Sequence, residues 1–241
     1  MSSQPSAVGP PSPKAFASAQ GSGEPAEAKS EGGSAGPAVA SAVAGHRRDG
    51  VGVLALQGDY AEHQAMLARC GVASTQIRKA SQLDGIRALI LPGGESTTML
   101  KFMQEEDLIE PLRAFYEAGG ALYGTCAGAI LLAEKVTKPA QDSLGFMDID
   151  VERNAYGRQI DSHESFEPCP ELGDQPLPMV FIRAPVISRS GAAVRTLARH
   201  RGQPVLVRQG RILVSTFHPE LSTDTRVHRY FLEELSKKVD T

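Results

Sequence analysis

Ala121-Leu-Tyr-Gly-Thr-Cys126-Ala-Gly-Ala-Ile130 reads as a short buried strand that runs into a small-residue turn and then a helix. A nucleophile-type residue sits at the tip of that turn, the layout of a nucleophile elbow. Gly124 and Gly128 flank Cys126 because so tight a strand-to-helix turn leaves little room for Cβ atoms. A cysteine placed there lies at a helix N-terminus, where the backbone dipole favours a thiolate. The amide of Ala127 is then available to an oxyanion. On this segment alone, a turn built around an inert buried cysteine is an equally good reading.

Working outward, the chain alternates strand and helix. Val51–Leu56 is a short apolar run of the kind buried on both faces of a sheet, and Tyr60–Arg69 has helical periodicity closed by Gly71. Ser74–Ile77 and Ala88–Leu91 are further strands, the second ending at Pro92-Gly93-Gly94. Helical segments follow from Ser96 to Ala118 with a break near Asp107, closed by Gly119-Gly120. This order predicts an α/β fold in three layers, flavodoxin-like, with a mostly parallel central sheet and helices on both faces. After Lys138 the pattern shortens into a small added β region, with strands at Val151, Ile160 and Val180–Ile182. Residues 205–214 read as a hairpin turning at Gln209-Gly210, and an amphipathic helix is expected over Asp224–Lys237, with Val227, Tyr230, Phe231 and Leu235 on one face.

The chain has 241 residues, 41% of them hydrophobic, and a formal net charge of −3. That balance gives no footprint for nucleic acid or an anionic membrane surface. Three scattered cysteines, Cys70, Cys126 and Cys169, make neither a disulfide framework nor a CxxC zinc pair, and a reducing cytoplasm suits them. Nothing approaches the roughly 20 apolar residues of a membrane helix, and no secretory signal is expected. Residues 1–48 are rich in Ala, Gly, Ser and Pro, lack Leu and Ile, and hold one aromatic, Phe16. Such a segment buries too little apolar surface to offset its ordering entropy. It is expected to be a disordered extension ahead of a folded domain over 49–241. A transit peptide is the rival reading, opposed by Glu24, Glu27 and Glu31; a start codon placed too far upstream is another.

Ile212-Leu-Val-Ser-Thr-Phe-His218-Pro-Glu220 is a strand ending in His-Pro-Glu. In an extended segment residues i and i+2 share a side, so Glu220 can reach the His218 ring, and Pro219 biases His218 toward an extended backbone. One imidazole nitrogen can then face Cys126 while the carboxylate orients the other, the logic of a catalytic triad. A lone His beside a Glu is the plainer alternative, and the cysteine elbow tips the balance to a triad.

Leu91-Pro-Gly-Gly-Glu-Ser-Thr-Thr98 places a Gly-Gly turn after a buried strand and opens a helix. Backbone amides exposed at that sheet edge are where open α/β folds bind ligands. No lysine follows where a P-loop needs one. A plain turn with Ser96 as helix N-cap is compatible with the same residues.

Together these segments resemble class I glutamine amidotransferases, and more closely the glutaminase subunit of pyridoxal 5'-phosphate synthase. The resemblance covers nearly all of residues 51–236. It is carried by Leu56-Gln-Gly-Asp59, Pro92–Thr98, Gly124-Thr-Cys-Ala-Gly128, Arg153-Asn-Ala-Tyr-Gly-Arg-Gln159, Phe181-Ile-Arg-Ala-Pro185 and His218-Pro-Glu220. It implies hydrolysis of L-glutamine to L-glutamate and ammonia by Cys126, His218 and Glu220, with the ammonia passed to a partner synthase subunit that makes pyridoxal 5'-phosphate. It also implies Gly94 and Ala127 as oxyanion donors, and a glutamine pocket lined by Gly94, Glu95, Ser96, Arg153, Ile182 and Arg183. Glu95 would meet the substrate ammonium, and the two arginines would pair with carboxylates, a structural ion pair being the alternative for each arginine. No metal and no cofactor are implied for this subunit.

The chain departs from the family at Asp161-Ser-His-Glu-Ser-Phe-Glu167, which carries two extra residues. His163 within it is expected on an exposed loop, and His46, His63, His200 and His228 lack partners at metal-ligand spacing. Cys70 and Cys169 are read as structural or incidental. Rival functions are a Cys hydrolase or stress-related protein of the same superfold, opposed by His218-Pro-Glu220, and a pseudoenzyme scaffold, opposed by the intact triad. Guanylate, histidine and anthranilate pathways are alternative destinations for the ammonia.

Overall fold

The structure, a computed structural model, describes residues 49–153 and 162–235. The extension over 1–48, the strand expected at Ile160, residues 154–159 of the arginine motif and the end of the last expected helix lie outside them.

Five strands form the parallel part of the central sheet: β1 (Gly50–Leu54), β2 (Ser74–Ile77), β3 (Ile86–Leu91), β4 (Ala121–Thr125) and a late strand, Ile212–Ser215. Between β4 and that late strand the chain makes two small sheets and one sheet edge. The strands β5 (Ala133–Thr137), β6 (Met147–Glu152) and β9 (Val186–Ser190) form a three-stranded sheet, and β7 (His163–Glu167) pairs with β8 (Leu177–Phe181). Then β10 (Arg195–His200), β11 (Gln203–Gln209) and β12, the late strand, complete a seven-stranded sheet in the order β10-β11-β12-β4-β3-β1-β2, the first two pairings antiparallel.

Alternation along the strands makes the three layers. Leu54, Leu89, Leu91, Leu122, Ile212 and Val214 face helices α2 (Ser96–Glu105), α3 (Ile109–Glu117) and α4 (Ala127–Leu132), packing with Met99, Met103, Leu112, Phe115 and Leu131. The intervening Val51, Val53, Ala88, Ile90, Tyr123 and Leu213 face α1 (Tyr60–Arg69) and α5 (Arg226–Tyr230) through Leu67, Val227 and Tyr230. Period-two strands between period-3.6 helices give each face its own core. Each large aliphatic side chain so buried contributes about 1.5–3 kcal/mol.

The expected elements up to Thr125 are present, and α1 and β2 have the expected bounds. Helix α1 stops where Gly71 takes φ +77°; the amides of Gly71 and Val72 then close on the carbonyls of Ala68 and Leu67 in a Schellman-type cap. Asp107, at φ +49°, makes the expected break between α2 and α3.

Three expectations are corrected. His163 lies in β7 rather than on an exposed loop; its ring stacks on Phe181 and its Nε2 is 3.2 Å from Nε2 of His200. Glu95, not Ser96, caps α2, its carboxylate accepting the Thr98 amide at 2.7 Å. Helix α5 is regular only to Tyr230 and continues as a π-helical turn over Phe231–Leu235. Val227, Tyr230 and Phe231 are buried as expected.

Candidate active site

The C-terminal ends of β1, β3, β4 and β12 meet at one sheet edge, where open α/β folds place their ligands. Cys126 follows β4 and is the N-cap of α4, with φ 47° and ψ −98°, a conformation L-residues rarely adopt. Its amide is anchored to Ser215 O at 2.9 Å, and the residue is 8% exposed. The turn closes only because Gly128 has no side chain: a Cβ there would stand 2.1 Å from Leu91 O. Helix α4 thus lies directly on the end of β3, which aims the elbow at the loop that follows β3.

His218 follows β12. Its amide donates to Val180 O at 2.8 Å, and Nδ1 lies 2.8 Å from Glu220 Oε1, with His218 3% and Glu220 5% exposed. The pairing is the expected one, but the backbone route differs. His218 sits at φ −107°, ψ 84°, and Pro219–Leu221 forms a 3-10 turn, so Glu220 reaches the ring by curling back rather than along an extended segment. The Cys126 side chain is close enough to act electrostatically on His218, and its sulfur approaches Ile182 O at 3.9 Å. Burial by itself would lower the His218 pKa; hydrogen bonds and charge from Cys126 and Glu220 outweigh it and raise the value to about 10. Burial raises the pKa of Glu220, against the pull of His218.

The loops after β1 and β3 are stitched together. Asp59 N donates to Gly93 O at 3.1 Å, and Glu95 N donates to the Gln57 side-chain oxygen at 2.8 Å. Gly93 is also tight against the base: a Cβ there would meet His218 Cε1 at 2.4 Å. Gly94 and Glu95 are exposed at the mouth of the site. Glu95 does two things at once. One carboxylate oxygen accepts from Thr97 and Thr98, and the other pairs with Arg153 Nη2 at 3.2 Å. Burial is the largest single influence and raises its pKa, but the hydrogen bonds from Thr97 and Thr98 together prevail and bring it to about 2.

Of the expected pocket residues, Ile182 presents its carbonyl to the Cys126 sulfur, Glu95 pairs with Arg153 and Gly94 packs against Gln57, with two qualifications. Ser96 is buried and its hydroxyl donates to Gln141 Oε1 at 2.8 Å. Arg183 is exposed at φ +45°, beside the Ile182 carbonyl that faces the sulfur. Two surface clefts of about 290 and 310 Å3, beside Ile187–Ser190 and beside Pro168, include none of these residues.

Sequence reasoning passed over Asp59, Thr125, His63 and His228. Asp59 Oδ2 lies 3.5 Å from His218 Nδ1. Asp59, His218 and Glu220 are the one group among the described residues whose ligand atoms cluster within 4.8 Å, and there Nδ1 is already engaged by Glu220. His63 and His228 are both fully buried behind the triad. Neither carries a local sequence signal, because each acquires its partners from an element more than 60 residues away.

Residues 53–237 match the model of the SNO glutamine amidotransferase family. Over 184 residues the chain is 53% identical to the pyridoxal 5'-phosphate synthase subunit PdxT of Pelotomaculum thermopropionicum, covering 76% of this chain and 94% of that one. It is 53% identical over 190 residues to the protein of the same name from Solibacter usitatus, covering 77% and 98%. A crystal structure described as a glutamine amidotransferase superposes with a TM-score of 0.73 at 51% identity, over 77% of this chain and 98% of the other.

Proposed function

The chain belongs to the SNO glutamine amidotransferase family, and from that premise we propose that it hydrolyses L-glutamine to L-glutamate and ammonia and hands the ammonia to a pyridoxal 5'-phosphate synthase subunit. The observation that carries this reading is the buried 2.8 Å contact between His218 Nδ1 and Glu220 Oε1 beside a cysteine held at a strained elbow.

The Cys126 sulfur attacks the side-chain carboxamide carbon, forming a C–S bond while the carbonyl oxygen takes up the negative charge. The amides of Ala127 and Gly94 stabilise that oxygen, each such donor being worth about 10²–10³ in rate. His218 is oriented by Glu220 and gives its proton to the departing nitrogen, which leaves as ammonia when the C–N bond breaks. His218 then takes a proton from water. The hydroxide adds to the thioester, the C–S bond breaks, and glutamate leaves with the sulfur restored. Arg153 and the Ile182–Arg183 segment line the substrate side, and the Glu95 carboxylate, held ionised, is suited to the substrate ammonium.

Glutamate release by the purified chain with its synthase tests the reading. Cys126→Ala should abolish turnover while leaving partner binding intact. A glutamine-mimicking electrophile should label Cys126 ahead of Cys70 and Cys169 on peptide mapping. Turnover close to wild type in Cys126→Ala would refute the assignment.

A further inference from the structure

We infer that His63 is a positioning residue for the catalytic carboxylate, the middle of a buried relay that runs from His228 through His63 to Glu220. The inference rests on the glutaminase reading above and names a residue that acts on the triad from behind.

Three contacts define the relay. His63 Nδ1 lies 3.0 Å from His228 Nε2, and His63 Nε2 lies 3.0 Å from Thr125 Oγ1 and 3.5 Å from Glu220 Oε1. The His63 and Glu220 side chains are both 0% exposed, so no bulk water screens the longer contact. Thr125 immediately precedes Cys126, so one imidazole from α1 touches the residue before the nucleophile and the carboxylate behind the base.

The chain of contacts selects a tautomer. If His228 Nε2–H donates to His63 Nδ1, then His63 carries its proton on Nε2, donates it to Thr125 Oγ1 and turns the positive end of that N–H toward the Glu220 carboxylate 3.5 Å away. His228 Nδ1, buried and without a partner, is then a bare acceptor. The opposite arrangement would bury an unpaired N–H at His228 and aim a lone pair of His63 at the carboxylate, which is worse on both counts. Burial lowers the pKa of both imidazoles, that of His228 to about 3, so each stays neutral and the relay is not an ion pair. Around Glu220 stand His218 on its own segment, Asp59 from the loop after β1, His63 from α1 and the Tyr123 hydroxyl from β4. Asp59 opposes its charge and Tyr123 is held neutral by burial, which leaves the His63 N–H dipole, 3.5 Å from Oε1, as the neutral group that favours the ionised carboxylate.

The experiment compares the full chain with its synthase as wild type, His63→Leu, His63→Gln and His228→Phe. Removing the donor disfavours ionised Glu220, so the acid limb of kcat/KM should move to higher pH by about one unit in His63→Leu. Turnover number should fall about tenfold or more while KM changes by less than about twofold. His63→Gln, whose amide can stand in for Nε2–H, should recover most of both losses. His228→Phe, which removes only the tautomer lock, should give a smaller shift of the same sign and remains readable if His63→Leu does not fold. The Nδ1–H proton of His218 in 15N-edited NMR gives a readout free of glutamine and should move in His63→Leu. An unmoved acid limb and proton signal in an active protein, or a His63→Gln no better than His63→Leu, would overturn the relay. A wild type that releases no glutamate while its His218 signal still responds to His63→Leu would instead overturn the glutaminase reading and leave the relay standing.

Discussion

The Gln57 side-chain oxygen accepts the Glu95 backbone N–H at 2.8 Å, so a side chain from the loop after β1 fixes the turn after β3. Gly94, the proposed second oxyanion donor, sits inside that turn at φ +148° and packs against the same side-chain oxygen. A glycine passes between backbone states at low cost, so a partner docking at Leu56–Asp59 can select the orientation of the turn. The chain alone should hydrolyse glutamine slowly, and the synthase should raise turnover by an order of magnitude or more, the worth of one donor being about 10²–10³. Gln57→Ala should lower that ratio of stimulated to basal rate. Equal glutamate release with and without the synthase would rule the switch out.

Cys126 at φ 47°, ψ −98° implies a trade between stability and chemistry. Glycine adopts such angles freely, and strained backbone of this kind costs about 1–3 kcal/mol. Cys126→Gly should therefore melt above Cys126→Ala by roughly 2–4 °C or more, both being inactive. Calorimetry of the two variants checks this, and equal melting temperatures would show that the elbow is relaxed.

His218 links stability to pH. Its folded pKa of about 10 lies above the ordinary 6.5. The imidazolium's favourable contacts are therefore fully present below 6.5 and are lost as pH rises through 10. The melting-temperature advantage of wild type over His218→Gln should shrink across that window. A constant difference from pH 6 to 10 would show that His218 does not hold its proton there.

For the extension we propose that residues 1–48 stand outside the folding unit, a reading supported by their composition and by a family match that begins at residue 53. Deleting them should leave both the melting temperature and partner-stimulated glutaminase activity unchanged. A lower melting temperature would mean that the segment packs on the domain; lost activity alone would place it at the interface.

The half of the fold up to Cys126 was legible because its signals are local. Apolar runs, helical periodicity and Gly breaks at 71 and 119–120 all act within a few residues. Residues 133–200 were harder to read, since β7 (His-Glu-Ser-Phe-Glu) is polar and becomes a strand only through pairing with β8 and stacking of His163 on Phe181. In the site, the Cys126, His218 and Glu220 grouping was legible from motif chemistry. The 3-10 curl that joins His218 to Glu220 was not, because Pro219 is as compatible with that turn as with extended chain. His63 and His228 were invisible for a different reason: their meaning lies in each other, 165 residues apart.

The same long-range assembly bears on biosynthesis. The residues of the elbow are translated by Gly128, yet β12, which slots between β4 and β11, anchors the Cys126 amide through Ser215 O and carries the base at its end, is translated long after them. A ribosome-bound chain short of Ser215 holds the nucleophile without its base and leaves one flank of β4 open. Such topology folds slowly, because loop closure precedes any reward from contact. A truncated product thus lacks the base and exposes a parallel edge, a template for pairing with other chains that the finished domain covers with β12.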